Sequence, residues 1–313
     1  MADVKKIATR ESYGKALAEL GAEHENVVVL DADLAGATKT GTFLKAYPQR
    51  HFDCGIAEAN MICVAAGMST TGLVPFASTF AMFAAGRAFE QVRNSIGYPN
   101  LNVKIGATHG GISVGEDGAS HQCCEDFALM RSIPGMVVMS PADDVEARAM
   151  VKAAYEHEGP VYMRFGRAAV PVVHEEGTPF TIGKGEILRD GADVAIIANG
   201  LMVAEALEAA AKLAEQGVDA MVINMATIKP LDEELVLAAA EKCGKVITCE
   251  EHSVIGGLGE AVCSLLAERK PTLVARIGVN DEYGHSGPAG ALLKQFGLCW
   301  ENVYETALKL VKG

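Results

Sequence analysis

The chain has 313 residues, a formal net charge of −13 and a pI near 5.1. Half of the residues are hydrophobic and 21% are charged, which is typical of a globular protein and argues against disorder. The acidic balance argues against nucleic acid and anionic membrane surfaces as partners. The eight cysteines show no C-x-x-C spacing, and the N-terminal MADVKKIATR has no apolar signal segment. We therefore expect reduced thiols and a cytoplasmic location.

In chain order, short apolar runs alternate with amphipathic stretches, as in parallel sheets covered by helices on both faces. Strands are predicted over 27–31, 73–77, 102–107, 136–140 and 161–165, and then over 193–199, 219–225, 245–251 and 272–278. The clearest helical periods are 10–20, 144–157 and 202–217. This alternation predicts the α/β class.

Residues 59–86 carry no charge, and such a run is long enough to span a bilayer. However, polar and turn-forming residues such as Asn60, Gly72 and Pro75 interrupt it. The run divides into a helix at about 57–70, a short strand at 73–77 and a second helix that starts near Thr79. We therefore predict a buried segment of a globular protein and no membrane span.

A break separates the two series of strands. The segment RAAVPVVHEEGTPFTIGKGEILRDG, which starts at Arg167, has two prolines, four glycines and no long periodic stretch. The sequence thus predicts two domains, residues 1–170 and 185–313, joined by a linker over 171–184. Each domain should contain a mainly parallel sheet flanked by helices.

Common nucleotide motifs are missing from the sequence. It has no G-x-x-x-x-G-K-[ST] motif, no complete G-x-G-x-x-G and no GDG followed by an asparagine, the pattern that holds Mg²⁺ and a diphosphate. The nearest match is GGLGE (256–260), which we interpret as a tight turn between a strand and a helix.

A single carboxylate, Glu58 in FDCGIAEAN, stands at the head of the uncharged run. An acidic residue in the first turn of a helix is usually exposed and suits the helix dipole. The 28 uncharged residues that follow instead predict buried surroundings, and a buried carboxyl group is a candidate for chemistry. The residues alone leave both interpretations open.

A second polar cluster, THGGISVGEDGASHQ (108–122), follows a predicted strand at the carboxyl edge where α/β ligand sites lie. His109, Asp117 and His121 can hydrogen-bond sugar hydroxyls. A metal site that adds Cys123 and Cys124 lacks a known ligand spacing, so we predict none. Arg164, at the end of its strand, is either an anion-binding residue of the same edge or an ordinary surface arginine.

Several long motifs in this order resemble the C-terminal half of the transketolase family. They are FDCGIAEAN (52–60), STFAMF (78–83), the 108–122 loop, SPADDVEA (140–147) and EEHSVIGGLGE (250–260). The resemblance covers nearly the whole chain and implies a pyrimidine-binding domain followed by a transketolase C-terminal domain. It further implies the smaller subunit of a split transketolase, with an N-terminal, diphosphate-binding partner subunit in an α2β2 assembly.

The resemblance implies thiamine diphosphate as the cofactor, with Mg²⁺ held mainly by the partner. Glu58 matches the glutamate that hydrogen-bonds the pyrimidine N1′, and apolar surroundings would keep its carboxyl group protonated. Phe80 and Phe83 match aromatic residues around the ring, and Asp33 matches an acidic residue near the cofactor. Gly86 stands where a third aromatic residue often occurs, which implies a looser pocket.

For the substrate, His109, Asp117 and His121 match residues that contact sugar hydroxyls and the carbonyl, and we expect both histidines to be catalytic. Arg164 and Arg10 match sugar-phosphate-binding arginines. The implied reaction is transfer of a two-carbon ketol unit between a phosphorylated ketose and an aldose, as in the pentose phosphate pathway. Three alternatives stay open: a deoxyxylulose-phosphate-synthase-like enzyme, a 2-oxo-acid dehydrogenase β-type subunit and a non-catalytic scaffold of the same fold.

Overall fold

The computed structural model describes residues 5–312. In chain order its strands are β1 (Lys6–Ala8), β2 (Val27–Asp31), β3 (His51–Asp53), β4 (Val74–Phe80), β5 (Lys104–Thr108), β6 (Val137–Met139), β7 (Val161–Phe165), β8 (Ala169–Pro171), β9 (Glu186–Arg189), β10 (Val194–Ala198), β11 (Ala220–Asn224), β12 (Thr227–Lys229), β13 (Lys245–Ser253) and β14 (Leu273–Val279).

The helices are α1 (Thr9–Glu23), α2 (Ala35–Thr38), α3 (Gly41–Ala46), α4 (Glu58–Ser69), α5 (Phe89–Gln91), α6 (Asp126–Arg131), α7 (Asp144–Glu156), α8 (Met202–Ala214), α9 (Glu233–Cys243), α10 (Leu258–Arg269), α11 (Ala289–Gln295) and α12 (Trp300–Lys312). Two π-helical segments, Met82–Arg87 and Val92–Gly97, flank α5.

Two mainly parallel sheets form the centres of the molecule. The first has the strand order β12-β6-β7-β5-β4-β2-β3 and the second has the order β14-β13-β10-β11-β9. All neighbours are parallel except the edge strands β12 and β9. Central strands such as VVVLD and VYMRF are buried along their whole length, because helices cover both faces of the sheets. The predicted fold class, two α/β domains, is confirmed.

The two halves of the chain share the first sheet. Strand β12, from the second half, pairs antiparallel with β6 at its edge. The Ser140 N–H also donates to the Ala226 carbonyl at 2.8 Å. The second half therefore covers an edge of the first sheet.

The uncharged run forms α4, β4 and the first π-helical segment. The prediction of a second helix near Thr79 is wrong, because β4 continues to Phe80, fully buried and paired on both sides. The chain turns helical only at Met82. Among the described residues, no helix is long and apolar enough to cross a membrane.

The GGLGE turn is filled by a side chain of the protein itself. The Glu250 carboxylate accepts the N–H groups of Leu258 and Gly259, at 2.7 and 2.8 Å, at the start of α10. A helix N-terminus can bind an anionic ligand through such free N–H groups. Here Glu250 already satisfies them, in agreement with the interpretation of this segment as a turn.

Candidate active site

The candidate site lies at the carboxyl edge of the first sheet. In the register of the strands, Phe80 at the end of β4 is opposite Thr108 at the end of β5, and Thr108 is opposite Phe165 at the end of β7. The segments that leave these strands therefore meet at one edge, which is where open α/β sheets bind ligands.

The structure brings the predicted aromatic residues and histidines together. The Phe80 ring stacks on His109, with 3.8 Å between centroids and 22° between planes, and it lies 5.7 Å from Phe83. The Phe83 ring meets His121 edge-on at 5.3 Å. The i, i+3 pair from one segment thus contacts both histidines of the loop, and the four rings form one continuous wall.

Next to this wall, Glu58 begins α4 and is 2% exposed. Its two carboxylate oxygens accept hydrogen bonds from Nη1 of Arg87, at 2.9 and 3.1 Å. The surroundings of Glu58 are therefore not wholly apolar, which corrects the expectation of an apolar site, because the Arg87 guanidinium lies against the carboxylate. The two charges that bound the uncharged run pair with each other, and this signal in the sequence could have identified Arg87.

A cavity of about 370 Å³ opens beside Glu58. Its lining is Ala32, Asp33, Leu34, Ile56, Glu58, Phe83, Arg87, Ser120 and His121. Asp33, which the family resemblance places near the cofactor, thus shares one cavity with Glu58, Phe83 and His121. Its backbone has a positive φ of 60°, and its N–H donates to the Asp53 carboxylate at 3.0 Å.

The loop that carries Asp33 depends on Asp31, which sequence reasoning missed. The Asp31 carboxylate is fully buried and accepts from the Leu34 N–H at 2.6 Å and from the Thr38 and Thr40 hydroxyls at 2.7 and 2.9 Å. Burial raises its pKa, an effect that these hydrogen bonds oppose. Asp31 therefore fixes the shape of the loop between β2 and α3. An acid as the last residue of an otherwise apolar strand was the available signal.

His109 is buried between cations. Its Nδ1 lies 2.9 Å from the Thr108 hydroxyl and its Nε2 lies 3.1 Å from Nη1 of Arg10. Burial and the charges of Arg10 and Arg167 lower the pKa of His109 to about 3. Because Arg10 can only donate, Nε2 accepts and the proton resides on Nδ1. At neutral pH, His109 is thus an uncharged ring whose acceptor faces a guanidinium.

Two arginines converge on this histidine. Burial and the charge of Arg167 lower the pKa of Arg10, whose Nη1 also donates to the Ala37 carbonyl at 3.0 Å. The Nε of Arg10 is buried and has no hydrogen-bond partner within residues 5–312. Arg167 donates to the Val114 carbonyl and to the Glu116 carboxylate, the latter at 2.8 Å. The cationic group formed by Arg10 and Arg167 around His109 can therefore bind an anion.

Arg164 does not reach this group, which corrects the prediction that it binds a substrate phosphate. It lies inside β7, is 5% exposed, and donates to the carbonyls of Glu251 and Cys123, both at 2.8 Å. Its Nε lies 3.1 Å from the buried Asp126 carboxylate. Residue 164 points from the sheet into the contact between the two halves, whereas Arg167 lies beyond the strand end. Sequence reasoning missed Arg167, although it stands three residues later.

The remaining predicted residues lie on the loop. Asp117 is exposed at the end of the 3₁₀ segment Ile112–Asp117, and His121 is half-buried with Nδ1 at 2.9 Å from the Ser120 hydroxyl. Glu251 fastens the loop from the other half of the chain by accepting the Ser113 N–H at 2.6 Å, and burial raises the pKa of Glu251 to about 7. The second half therefore holds the loop in place.

The arrangement offers two regions with different chemistry. The cavity beside Glu58 presents a carboxylate and aromatic faces, which fit a flat heterocycle with ring nitrogens and an amino group. The region around His109 presents guanidinium groups, which fit an anion. Among the described residues, no group of three or more His, Cys, Asp or Glu side chains is arranged to hold a metal ion.

Comparison with known proteins assigns the family. Residues 5–172 match the family model "Transketolase, pyrimidine binding domain", and residues 183–303 match "Transketolase, C-terminal domain". The chain is 50% identical over 306 residues to a putative transketolase C-terminal section of Methanocaldococcus jannaschii, with 97% of this chain and 96% of that protein covered. It is 43% identical to the 6-deoxy-6-sulfo-D-fructose transketolase subunit SqwH of a Clostridium species, over 95% and 92% of the two chains.

The solved structures agree with this assignment. A structure described as a split gene transketolase, inactive beta4 tetramer, superposes with a TM-score of 0.92 at 55% identity, covering 98% of this chain and 99% of that one. The transketolase from Leishmania mexicana superposes with a TM-score of 0.84 at 25% identity, covering all of this chain and 46% of that one. The chain therefore belongs to the transketolase family and comprises its pyrimidine-binding and C-terminal domains.

Proposed function

We propose that the chain is the pyrimidine-binding subunit of a split, thiamine-diphosphate-dependent transketolase that transfers a two-carbon ketol unit between sugar phosphates. The observation that carries the proposal is the continuity of the two regions of the site. The Phe80–Phe83 wall joins the cavity beside Glu58 to the cationic group around His109. A cofactor ring and a sugar phosphate could therefore lie next to each other.

Glu58, Phe80, Phe83 and Asp33 are the residues that we assign to the cofactor. The carboxyl group of Glu58 would hydrogen-bond N1′ of the aminopyrimidine, and the phenylalanine faces would hold the ring in one plane. When bound, thiamine diphosphate supplies the nucleophilic carbon that adds to a ketose carbonyl. Glu58 then holds a proton at the ring nitrogen, and its 2% exposure keeps that proton away from bulk water.

The substrate phosphate would bind Arg10 and Arg167. Arg10 has a buried Nε without a partner among the described residues, and Arg167 can exchange its exposed Glu116 partner for a phosphate. A guanidinium pair suits a tetrahedral anionic end group, whether a phosphate or the singly charged sulfonate named in the Clostridium relative. His109 as an uncharged ring, His121 and Asp117 would orient the sugar hydroxyls and carbonyl.

A partner subunit would supply the diphosphate and Mg²⁺ site. The likeness to proteins described as a transketolase subunit and as a split gene transketolase supports this division of labour. In single-chain relatives, such as the 1-deoxy-D-xylulose-5-phosphate synthase 1 of Geobacter sulfurreducens, the matching region is 45% of the protein. We propose an α2β2 assembly in the cytoplasm, acting on pentose-phosphate-pathway sugars.

A second candidate is a deoxyxylulose-phosphate-synthase-like activity. Three of the curated relatives with this description are 36–40% identical to the chain over at least 91% of its length. Both activities would use the same cofactor ring site, so they differ only in the donor: a ketose phosphate for ketol transfer and a 2-oxo acid for the synthase. A 2-oxo-acid dehydrogenase β-type role leaves His109, Asp117 and His121 without a polyol to contact, and a scaffold role leaves the whole site without a purpose.

The test is reconstitution. The chain is mixed with the product of a neighbouring reading frame that carries the GDG…N motif, together with thiamine diphosphate and Mg²⁺. Xylulose 5-phosphate with ribose 5-phosphate, and pyruvate with glyceraldehyde 3-phosphate, are then assayed in parallel. We expect ketol transfer that saturates near a one-to-one ratio of subunits. Activity with pyruvate and glyceraldehyde 3-phosphate but not with the two pentose phosphates supports the second candidate. Full activity of either polypeptide without the other contradicts the split site.

A further inference from the structure

Arg87 occupies the cavity beside Glu58 in an unusual way. It closes the first π-helical segment, its side chain is 52% exposed, and Nη1 bonds both oxygens of Glu58 at 2.9 and 3.1 Å. Its guanidinium carbon lies 4.4 Å from the centroid of the Phe83 ring, so the charged plane packs against that face. A flat, N–H-bearing group is thus held between an aromatic face and a buried carboxylate.

These are the two contacts that an aminopyrimidine needs in the same cavity. A ring that stacks on Phe83 and hydrogen-bonds Glu58 would overlap the guanidinium, since both groups are planar and both contact the carboxylate through nitrogen. The side chain of Arg87 is half exposed and can leave the cavity without disturbing the core, whereas Glu58 on α4 is 2% exposed and remains in place. Arg87 and the ring therefore compete for one position.

We propose that Arg87 is a positioning residue of the pyrimidine site: its guanidinium holds the place of the ring between Phe83 and Glu58 and is displaced when the ring binds. The inference rests on the proposed function, because it needs a cofactor ring in this cavity. Its physical reason is that a buried carboxylate is strongly destabilising without a partner. Arg87 supplies this partner until the ring does, so Arg87 sets the affinity for the ring.

The first experiment measures the affinity of the reconstituted complex for thiamine diphosphate by calorimetry, at fixed Mg²⁺. For Arg87→Met we expect binding about five- to twentyfold tighter than in the wild type, between the effects of breaking an exposed and a buried ion pair. Arg87→Lys keeps the positive charge but lacks the planar guanidinium, so its affinity for thiamine diphosphate should lie between those of the wild type and Arg87→Met. The control Arg269→Met removes an arginine of similar exposure, 55% against 52%, from its pair with the exposed Glu233 at 2.9 Å, and the affinity should not change.

The second experiment begins without the cofactor. In the arginine-labelled wild-type chain, the guanidinium ¹H–¹⁵N signal that Arg87→Met removes should be protected from water exchange, and Glu58→Gln should abolish that protection. Addition of thiamine diphosphate to the complex should abolish it too. Unchanged or weaker binding by Arg87→Met, or an unprotected signal in the wild type, overturns the proposal. If the signal is protected but the complex binds no thiamine diphosphate, the proposed function is wrong, and so is the displacement of Arg87 by the cofactor ring. The Arg87–Glu58 ion pair would still be supported by that result.

Discussion

Replacement of Arg167 and Arg164 by methionine separates an anion-binding arginine from a structural one. A charge-assisted hydrogen bond to a phosphate is worth about 1.5–3 kcal/mol. Arg167 must first leave Glu116, whose side chain is 65% exposed, and breaking so exposed an ion pair costs little. Loss of the phosphate contact, about 1.5–3 kcal/mol, therefore corresponds to a loss of roughly 13- to 160-fold in kcat/KM. We expect it as a rise in KM for the phosphorylated acceptor.

Arg164→Met should instead reduce stability. Its removal leaves the fully buried Asp126 carboxylate without its cation and takes one donor from each of the Glu251 and Cys123 carbonyls. Breaking a buried ion pair in this way costs about 3–5 kcal/mol. The assays are urea unfolding of each variant and steady-state transfer with phosphorylated and unphosphorylated acceptors. A selective rise in KM for Arg164→Met, with none for Arg167→Met, would refute the reasoning.

Four further outcomes are expected. Glu58→Gln should lower kcat by at least about 100-fold and slow C2 proton exchange of the cofactor, followed by NMR in the complex, because glutamine cannot share a proton with the ring; wild-type exchange would exclude Glu58 as the activating group. The chain without a partner should show no micromolar binding of thiamine diphosphate and Mg²⁺ by calorimetry, and such binding would contradict a divided site. The pKa of His109 is about 3 in the folded chain and near 6.5 in the unfolded chain, so that only the unfolded chain binds this proton as the pH is lowered from 6.5 towards 3, and stability falls. Relative to His109→Asn, the wild type should lose about 2 kcal/mol of unfolding free energy between pH 7 and pH 5, measured by urea unfolding. The same pH dependence in both proteins would count against a buried, uncharged ring. Burial raises the pKa of Glu146 to about 7, so the folded chain keeps the carboxyl proton that the unfolded chain releases near pH 4.5, and stability falls as the pH rises from 4.5 to 7. Glu146→Gln should remove up to about 3 kcal/mol of that fall, measured by the same urea unfolding. An unchanged dependence of stability on pH would argue against the raised pKa of Glu146.

The sequence predicts the central strands of both sheets well, because burial on both faces leaves a clear signal, but it misses short strands such as β3 and β12. The predicted strands 27–31 and 161–165 coincide with β2 and β7. The helix expected near Thr79 does not form there, because pairing with β5 extends β4 to Phe80. Local periodicity does not contain that tertiary effect.

Site residues could be predicted where they belong to a long sequence motif. They were harder to predict where their role depends on the direction in which the side chain points. Phe80, Phe83, His109 and His121 come together as one wall. Arg164 was misplaced, because its position near a strand end does not reveal on which face of the sheet its side chain lies.

The residues that the sequence did not reveal act through pairing. The importance of Arg87 depends on the approach of its segment to the start of α4, 29 positions earlier. The segment Met82–Arg87 is π-helical, and each of its i→i+5 hydrogen bonds spans one residue more than in an α-helix, which rotates every following side chain. A pattern read with the period of an α-helix cannot place such residues.

Strand β12 has a consequence for attempts to dissect the chain. A cut in the predicted linker, residues 171–184, would separate the two halves in sequence but would remove the strand that covers β6. The first fragment would then expose an unpaired strand edge, which invites pairing with other molecules, together with a buried arginine deprived of the Glu251 carbonyl. A chimera that joins the first half of this chain to the second half of a relative should therefore keep both the strand that pairs with β6 and the residues that contact Arg164. A protease that nicks the linker should leave a complex that stays together until it is denatured.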